Sequence, residues 1–203
     1  MMENILSQYK REMRDAASSI PHAFVKEALL EIQQSDLIYI AGNGGSAANA
    51  SHLALHLTDA GKVNVDLSAQ SPSITALSND FGYQFSLSRQ IPDWRSCPYV
   101  SPCVIVFSGS GNSKNILHLL HKCRGIGIRT IGILGFDGGE ALKLVDIPIH
   151  VVKRDYGIVE DCHSMIVHMI HRALLSPAKP VIILDEGWSQ RDPSTTNIVP
   201  MED

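Results

Sequence analysis

Apolar residues recur along this chain with two periods, one typical of amphipathic helices and one typical of buried strands. Near the N-terminus they recur every four positions, as in Ile5, Tyr9 and Met13, which predicts helix over about residues 4–34. The proline in Ser19-Ile20-Pro21 predicts one break in this stretch. The apolar face of such a helix packs either on a partner subunit or on the sheet of its own domain.

Short apolar runs separated by helical patterns follow in the rest of the chain. The runs predict strands at residues 37–40, 63–67, 104–107, 130–134 and 147–152. Helices are predicted at 47–57, 71–77, 114–124, just before 144 and at 159–175, with loops at 79–83 and 92–102 and a possible edge strand at 181–185. Alternating strands and helices predict an α/β fold with a doubly wound parallel sheet, which binds ligands at the carboxyl ends of its strands.

A glycine-rich turn, Gly42-Asn43-Gly44-Gly45-Ser46, connects the first predicted strand to a helix. This order presents backbone N–H groups and a helix N-terminus to an anion, and the glycines let the backbone approach a phosphate closely. Ser46 is placed either to cap the helix or to bond a phosphate oxygen. A tight turn without a ligand explains this stretch alone equally well.

A second turn, Ser108-Gly109-Ser110-Gly111-Asn112-Ser113, follows the strand at 104–107 and also opens a helix. Three serines within six residues suit a phosphate, which has several oxygens to satisfy. Two such turns in one chain favour a phosphorylated ligand over a plain connection. The candidate ligand contacts in the two turns are Asn43, Gly44, Ser46, Ser108, Gly109, Ser110 and Ser113.

Composition excludes several other classes of function. The 203 residues suit one globular domain, and the formal net charge of -4 gives no case for binding nucleic acid or an anionic membrane surface. No apolar run approaches the ~20 residues that span a bilayer, and no cleavable signal opens the chain. The four cysteines lack metal-ribbon or redox spacing, which is typical of unpaired thiols in the cytoplasm.

Two of the nine histidines, His52 and His56, lie four residues apart on the helix after the first turn and share one face of it. That spacing suits a divalent metal such as zinc, with imidazole nitrogens as ligands. A pair of partly buried polar side chains beside leucines is the alternative. Two histidines alone do not make a site, because a metal needs further ligands.

The last predicted helix carries further candidates. They are Glu160, Asp161, His163, His168 and His171. Glu160 and His168 are separated by roughly 12 Å along a continuous helix, so both reach one ion only if their side chains converge. Otherwise Glu160 acts beside the metal or as a base, or the acidic residues simply stabilise the N-terminal end of the helix.

Several of these motifs, taken together and in order, resemble phosphoheptose isomerases of the sugar isomerase (SIS) domain family. The likeness runs from the N-terminal helix to about residue 175. The motifs that carry it are Gly42-Asn43-Gly44-Gly45-Ser46, His52, Asn79-Asp80-Phe81-Gly82, Ser110-Gly111-Asn112-Ser113, Asp137-Gly138-Gly139, His163 and His168.

The resemblance implies a flavodoxin-like SIS fold with an N-terminal helical extension, as a single domain over residues 1–175 with residues 176–203 as a C-terminal extension. It also implies a homotetramer with active sites between subunits. The serines of the two turns match phosphate-binding serines, and Asp80 matches a carboxylate near the sugar. His52 matches a metal ligand of zinc-bearing members, and His168 matches a histidine used there in metal binding and proton transfer.

The chain departs from the family pattern at the sugar end of the site. His56 stands where the family has its catalytic glutamate, and Glu160 stands where it has a metal-binding glutamine. The expected metal ligands are therefore His52, His56, Glu160 and His168, and the expected proton-transfer groups are His168, Glu160 and His56. Three further positions also differ, at Ala60, Gly109 and Gly157.

Three functions remain open from the sequence. The first is an aldose–ketose isomerase that acts on a phosphorylated sugar, with sedoheptulose 7-phosphate as the expected substrate. The second is a non-catalytic SIS protein, since some relatives without the catalytic pair bind the replication initiator as tetramers. The third is a dinucleotide-binding protein, with the first turn as its glycine-rich fingerprint. This function needs an acidic residue further along the chain, for which Asp59 or Asp66 is a loose fit, and it gives the serine turn no role.

Overall fold

The computed structural model describes residues 2–97 and 99–175, and their centre is a five-stranded parallel sheet. Its strands are β1 (Leu37–Ala41), β2 (Asn64–Asp66), β3 (Pro102–Ser108), β4 (Arg129–Leu134) and β5 (Ile147–His150). They lie in the order β2-β1-β3-β4-β5, so the chain proceeds in one direction from β1 to β2 and in the other from β3 to β5. The carboxyl ends of β1 and β3 therefore flank the switch point where such sheets bind ligands.

Six α-helices surround the sheet in the described residues. They are α1 (Met2–Ser18), α2 (His22–Gln34), α3 (Gly45–Asp59), α4 (Ser71–Phe81), α5 (Lys114–Ile126) and α6 (Tyr156–Leu175). Helices α2, α3 and α6 cover one face of the sheet, and α5 covers the other together with short 3-10 turns. These turns are Tyr83–Phe85, Ser88–Gln90, Trp94–Ser96 and Ala141–Lys143.

Strand β3 shows why the sheet forms where its sequence is continuously apolar. Ile105 and Phe107 pack into the core beneath α3 and α6, whereas Val104 and Val106 pack into the core beneath α5. Successive side chains of a strand point to opposite faces, so a strand with both faces covered needs apolar residues at every position.

The N-terminal helical stretch is broken as the sequence predicts, between Ser18 and His22. Helix α1 packs on α6 of its own domain. There Tyr9 donates a hydrogen bond of 2.6 Å to Asp161, which raises the pKa of Tyr9 to about 12 because ionisation would remove the donor and place a second negative charge beside the carboxylate. Part of this helix thus packs on another helix of its own domain, Ile5 remains 58% exposed, and packing on a partner subunit stays a prediction.

The predicted loop at 79–83 is wrong in its first half. Asn79, Asp80 and Phe81 form the last turn of α4, which ends where Gly82 takes a left-handed φ of 92°. Pro72 in the first turn of α4 favours helix initiation, and the helix then continues past two weak helix formers. The stretch before Leu144 is a 3-10 turn, and the possible edge strand at 181–185 lies outside the described residues.

Candidate active site

A cavity of about 270 Å³ lies at the carboxyl ends of β1 and β3, where the two glycine-rich turns meet. All seven ligand contacts expected from those turns line it, together with Glu160 of the last helix. The lining residues are Asn43, Gly44, Gly45, Ser46, Phe107, Ser108, Gly109, Ser110, Ser113, Tyr156 and Glu160. The sequence-predicted phosphate turns are thus brought together in one place, whereas Asp80 is exposed on α4 and does not line the cavity.

Helix α3 begins at the cavity without a side-chain cap. Gly44 is its N-cap residue, with a φ of 55° that L side chains rarely adopt, and it makes no capping hydrogen bond. Ser46 is the second residue of the helix, so its hydroxyl does not cap it. The first N–H groups of α3 are therefore available to an anion in the cavity.

The serine turn is held in shape by its own side chains. The hydroxyl oxygen of Ser108, which is buried, accepts a hydrogen bond of 3.0 Å from the Gly111 N–H. Gly111 has a φ of 66° and lies so close to the backbone of Gly138 that a Cβ there would overlap it. Ser113 is the N-cap residue of α5 and makes no capping hydrogen bond. A second helix N-terminus is thus presented to the cavity.

A pair of amides connects the two turns. Asn43 and Asn115 each donate from Nδ2 to the other's Oδ1, over 2.9 and 2.8 Å, and Tyr83 donates to Asn43 Oδ1 over 2.7 Å. Asn115 and Tyr83 were not singled out from the sequence. Asn115 stands out because it is a buried polar residue near the start of a helix. Its burial is decided only by the tertiary structure, so the sequence alone did not reveal it.

Three histidines form a second cluster, on α3 and α6. The imidazole nitrogens of His52, His56 and His168 lie within 4.8 Å of one another. The Nε2 atoms of His52 and His56 are 2.9 Å apart, and the His168 ring lies 4.9 and 5.5 Å from theirs, centre to centre. Partial burial and neighbouring imidazoles lower the pKa of both His56 and His168, because each disfavours the charged ring.

His171 and Asp59 extend this cluster. The His171 ring stacks on His56 with centres 3.9 Å apart, and its Nε2 lies 2.7 Å from Asp59 Oδ2. His171 was a candidate from the sequence without an assigned partner. Asp59 was noted only for a dinucleotide, although its position three residues after His56 places it near the same helix face.

Glu160 is not a member of the histidine group. Its carboxylate lies against Gly45, where a Cβ would overlap it, and it lines the serine-rich cavity. The reason is that α3 and α6 run side by side in the same direction, so that the start of α6 meets the start of α3. His168, two turns further along α6, is therefore the residue that meets His52.

His163 belongs to neither cluster. It is fully buried on α6, with its ring 5.9 Å from that of Phe107. Burial lowers the pKa of His163 to about 4, although the nearby backbone of Leu134 opposes the shift. The side chain is thus a neutral imidazole in the core.

The three histidines suit a transition metal by their chemistry. Imidazole nitrogen is a ligand for zinc, and three such donors from two packed helices match the number that catalytic zinc sites take from the protein. The nitrogens already lie close enough together to share one ion after small side-chain movements. All four cysteines carry free thiols, and none joins the group.

The helices of the structure can be compared with the requirements of a membrane-spanning helix. In residues 2–97 and 99–175, none of the helices combines the length and apolarity needed to cross a bilayer.

Comparison with known proteins identifies the family. Residues 1–135 match the model of the SIS domain. A phosphoheptose isomerase of Trichlorobacter lovleyi is 33% identical over 163 residues, which are 77% of this chain and 82% of that protein. One from Helicobacter pylori is 32% identical over 145 residues, which are 68% of this chain and 74% of that protein.

The fold has a solved counterpart. The structure of a phosphoheptose isomerase from Neisseria gonorrhoeae superposes with a TM-score of 0.76 at 23% identity, covering 86% of this chain and 97% of that one. The flavodoxin-like α/β architecture expected from the sequence is thereby confirmed. The chain belongs to the SIS domain family, and its relatives in that family include phosphoheptose isomerases.

Proposed function

We propose that this protein is a phosphosugar isomerase that interconverts an aldose and a ketose, with sedoheptulose 7-phosphate and D-glycero-D-manno-heptose 7-phosphate as its substrate and product. One observation carries the proposal. The serine-lined cavity and the histidine group lie on the same two parallel helices, and Gly45 and His52 are about 10 Å apart along α3. A sugar held by a terminal phosphate can then present its other end to the histidines.

The phosphate would be held by the two turns. Ser46, Ser110 and Ser113 would donate hydroxyl hydrogen bonds, and the uncapped start of α5 would donate backbone N–H groups. Asn43 would keep the two turns in register through its amide pair with Asn115. The names of the curated relatives support a phosphorylated sugar as the ligand.

The reaction moves a proton between adjacent carbons through an enediol, so it needs a base and an acid at the reacting end. The lowered pKa values of His56 and His168 favour neutral rings, so each ring has a lone pair that can either accept a proton or bind a metal. We assign proton transfer to His168 and His56. Glu160 would transfer a proton only to or from substrate atoms that lie in the serine-lined cavity, because its carboxylate lies there.

A divalent metal such as zinc is part of the proposal. His52, His56 and His168 would hold it, and a bound metal would polarise the sugar carbonyl. Glu160 would become a fourth ligand only if its side chain left Gly45. The imidazole nitrogens of the three ligands must be neutral, which the lowered pKa of His56 and His168 favours.

We also propose a cytoplasmic homotetramer with sites between subunits, formed by one domain over residues 1–175. Ile5 and Leu6 on α1 are 58% and 55% exposed, and large apolar side chains on a helix face of this kind are available for burial by a partner. Sites between subunits would let groups from a neighbouring copy approach the histidines.

A second function is favoured by one observation. Among the described residues, the metal-competent group contains no carboxylate, because Glu160 lies elsewhere. A non-catalytic SIS protein would bind a phosphosugar in the serine turns and use the binding to control a partner. The dinucleotide alternative gains no support, because Asp66 accepts hydrogen bonds from Ser68 and Ala69 and Asp59 pairs with His171.

One experiment separates these functions. Zinc-supplemented protein is incubated with sedoheptulose 7-phosphate, and formation of the aldose is followed by NMR, with His168→Ala as the matched inactive variant. Turnover by the wild type that His168→Ala loses supports the isomerase. Binding of the sugar phosphate without turnover rejects it and favours the non-catalytic protein.

A further inference from the structure

Tyr156, the first residue of α6, forms part of the wall of the serine-lined cavity. Its ring packs directly on Gly109, where an added Cβ would lie 2.8 Å from Cε1 and 2.9 Å from Cδ1 of the ring. Such distances are shorter than van der Waals contact, so the ring and any side chain at position 109 compete for one space. The glycine in the serine turn thus leaves room for the tyrosine.

The ring is supported from behind. Phe136 packs on it with ring centres 4.7 Å apart and planes tilted by 57°. Phe136 itself has a left-handed φ of 48°, and its N–H donates a hydrogen bond of 3.0 Å to the Lys153 carbonyl. Tyr156 remains 56% exposed beside the cavity. It is therefore a supported aromatic surface that a ligand can contact.

The chemistry of this wall does not suit a phosphate. The face of an aromatic ring carries partial negative charge, and the carboxylate of Glu160, one helical turn further along α6, lines the same cavity. Both would repel a phosphate dianion. An aromatic face does suit the C–H groups of a carbon chain, and a carboxylate accepts hydrogen bonds from hydroxyl groups.

We propose that Tyr156 is a specificity-determining residue whose ring packs on the carbon chain next to the phosphate of a bound sugar phosphate. The serine turns hold the phosphate, and the first turn of α6 contacts the carbon chain that carries the phosphate. The ligand class is thus a phosphorylated polyhydroxy compound rather than free phosphate. This inference rests on the proposed function for the identity of the ligand.

The test is calorimetry with two probes, sedoheptulose 7-phosphate and inorganic phosphate. Tyr156→Ala should weaken binding of the sugar phosphate about tenfold and change binding of inorganic phosphate by less than about twofold. Tyr99→Ala is the matched control, because Tyr99 is 92% exposed and does not line the cavity. Unchanged sugar-phosphate affinity in Tyr156→Ala, or an equal loss for both probes, would overturn the proposal.

A second variant reaches the same contact from the other side. Gly109→Ala should push the ring out and reproduce the loss of sugar-phosphate affinity, and adding Tyr156→Ala should cause no further loss. Additive losses would contradict the contact.

Ser110→Ala distinguishes failure of the Tyr156 proposal from failure of the proposed function. A wild type that binds neither probe rejects both proposals. Binding that Ser110→Ala weakens and Tyr156→Ala leaves unchanged rejects only the role of Tyr156.

Discussion

Asn49 on α3 donates a hydrogen bond from Nδ2 to the backbone carbonyl of Glu160 on α6, over 3.0 Å. Asn49 is buried, and the bond lies between the serine-lined cavity and the histidine group. It fixes the helix that carries Tyr156, Glu160 and His168 against the helix that carries His52. Together with the apolar packing of α3 and α6 in the core, this side-chain amide therefore helps to set the geometry of both clusters.

Removing this amide should destabilise the protein. We expect Asn49→Ala to lower the free energy of unfolding by about 1 kcal/mol, because the substitution removes a part-buried hydrogen bond between the two helices. Urea unfolding measures the change. Asn79→Ala is the control, since Asn79 is exposed and its side chain donates to its neighbour Asp80 rather than to another helix. Equal stability of Asn49→Ala and wild type would show that the bond does not hold the helices together.

The serine turns should bind the phosphate of a sugar phosphate. We expect Ser110→Ala and Ser113→Ala each to weaken binding by roughly 1–3 kcal/mol, because each hydroxyl would bond a charged oxygen. Calorimetry measures the affinity, with the exposed Ser18 replaced by Ala as the control. Unchanged affinity in both cavity variants would remove these residues from the site.

The histidine group should hold a metal. Elemental analysis of protein purified without chelator or affinity-column metal should find about one divalent metal per chain, and His56→Ala should lose it. The exposed His22 replaced by Ala provides the control. Glu160→Gln shows whether that carboxylate joins the ligands, through a lower metal content. A metal-free wild type whose melting temperature zinc does not change would reject the site.

The protein should assemble through α1. We expect a tetramer by light scattering at micromolar concentration, and we expect Ile5→Asp to shift it towards smaller species, because a carboxylate would have to be buried in the interface. Asp15→Asn, an exposed change on the same helix, is the control. A wild-type monomer that still binds the sugar phosphate would contradict sites built between subunits.

His163 should make stability depend on pH. Its pKa of about 4 in the folded protein lies below the ordinary value of 6.5, so between these values the unfolded chain binds more protons and stability falls as pH falls. We expect the wild type to lose about 2 kcal/mol more than His163→Leu between pH 7 and pH 5.

Urea unfolding at the two pH values measures the effect of His163. The histidines of the metal-competent group titrate in both proteins, so their contribution cancels in the comparison. Identical slopes against pH would mean that His163 is not held neutral by burial.

Local patterns were enough to predict the strands, the glycine-rich turns and the shared face of His52 and His56. Each of these depends on residues close in sequence: an apolar run, a glycine that allows a positive φ, or a four-residue spacing on one helix. The break between α1 and α2 was predictable for the same reason, because proline acts on its own neighbours. The helical turn formed by Asn79 and Asp80 was missed because local propensity is a weak guide there.

The packing of α6 on α3 was decided only by the tertiary structure. Because the two helices run in parallel from one edge of the sheet, Glu160 lies at Gly45 and His168 lies at His52. A carboxylate expected among the metal ligands is therefore found beside the first glycine-rich turn. Tyr156 enters the cavity for the same reason, and only the fold places it on Gly109. Spacing along one helix determines which of its residues share a face. Which side chains that face contacts is determined by the neighbouring helix, and only the tertiary structure gives its position.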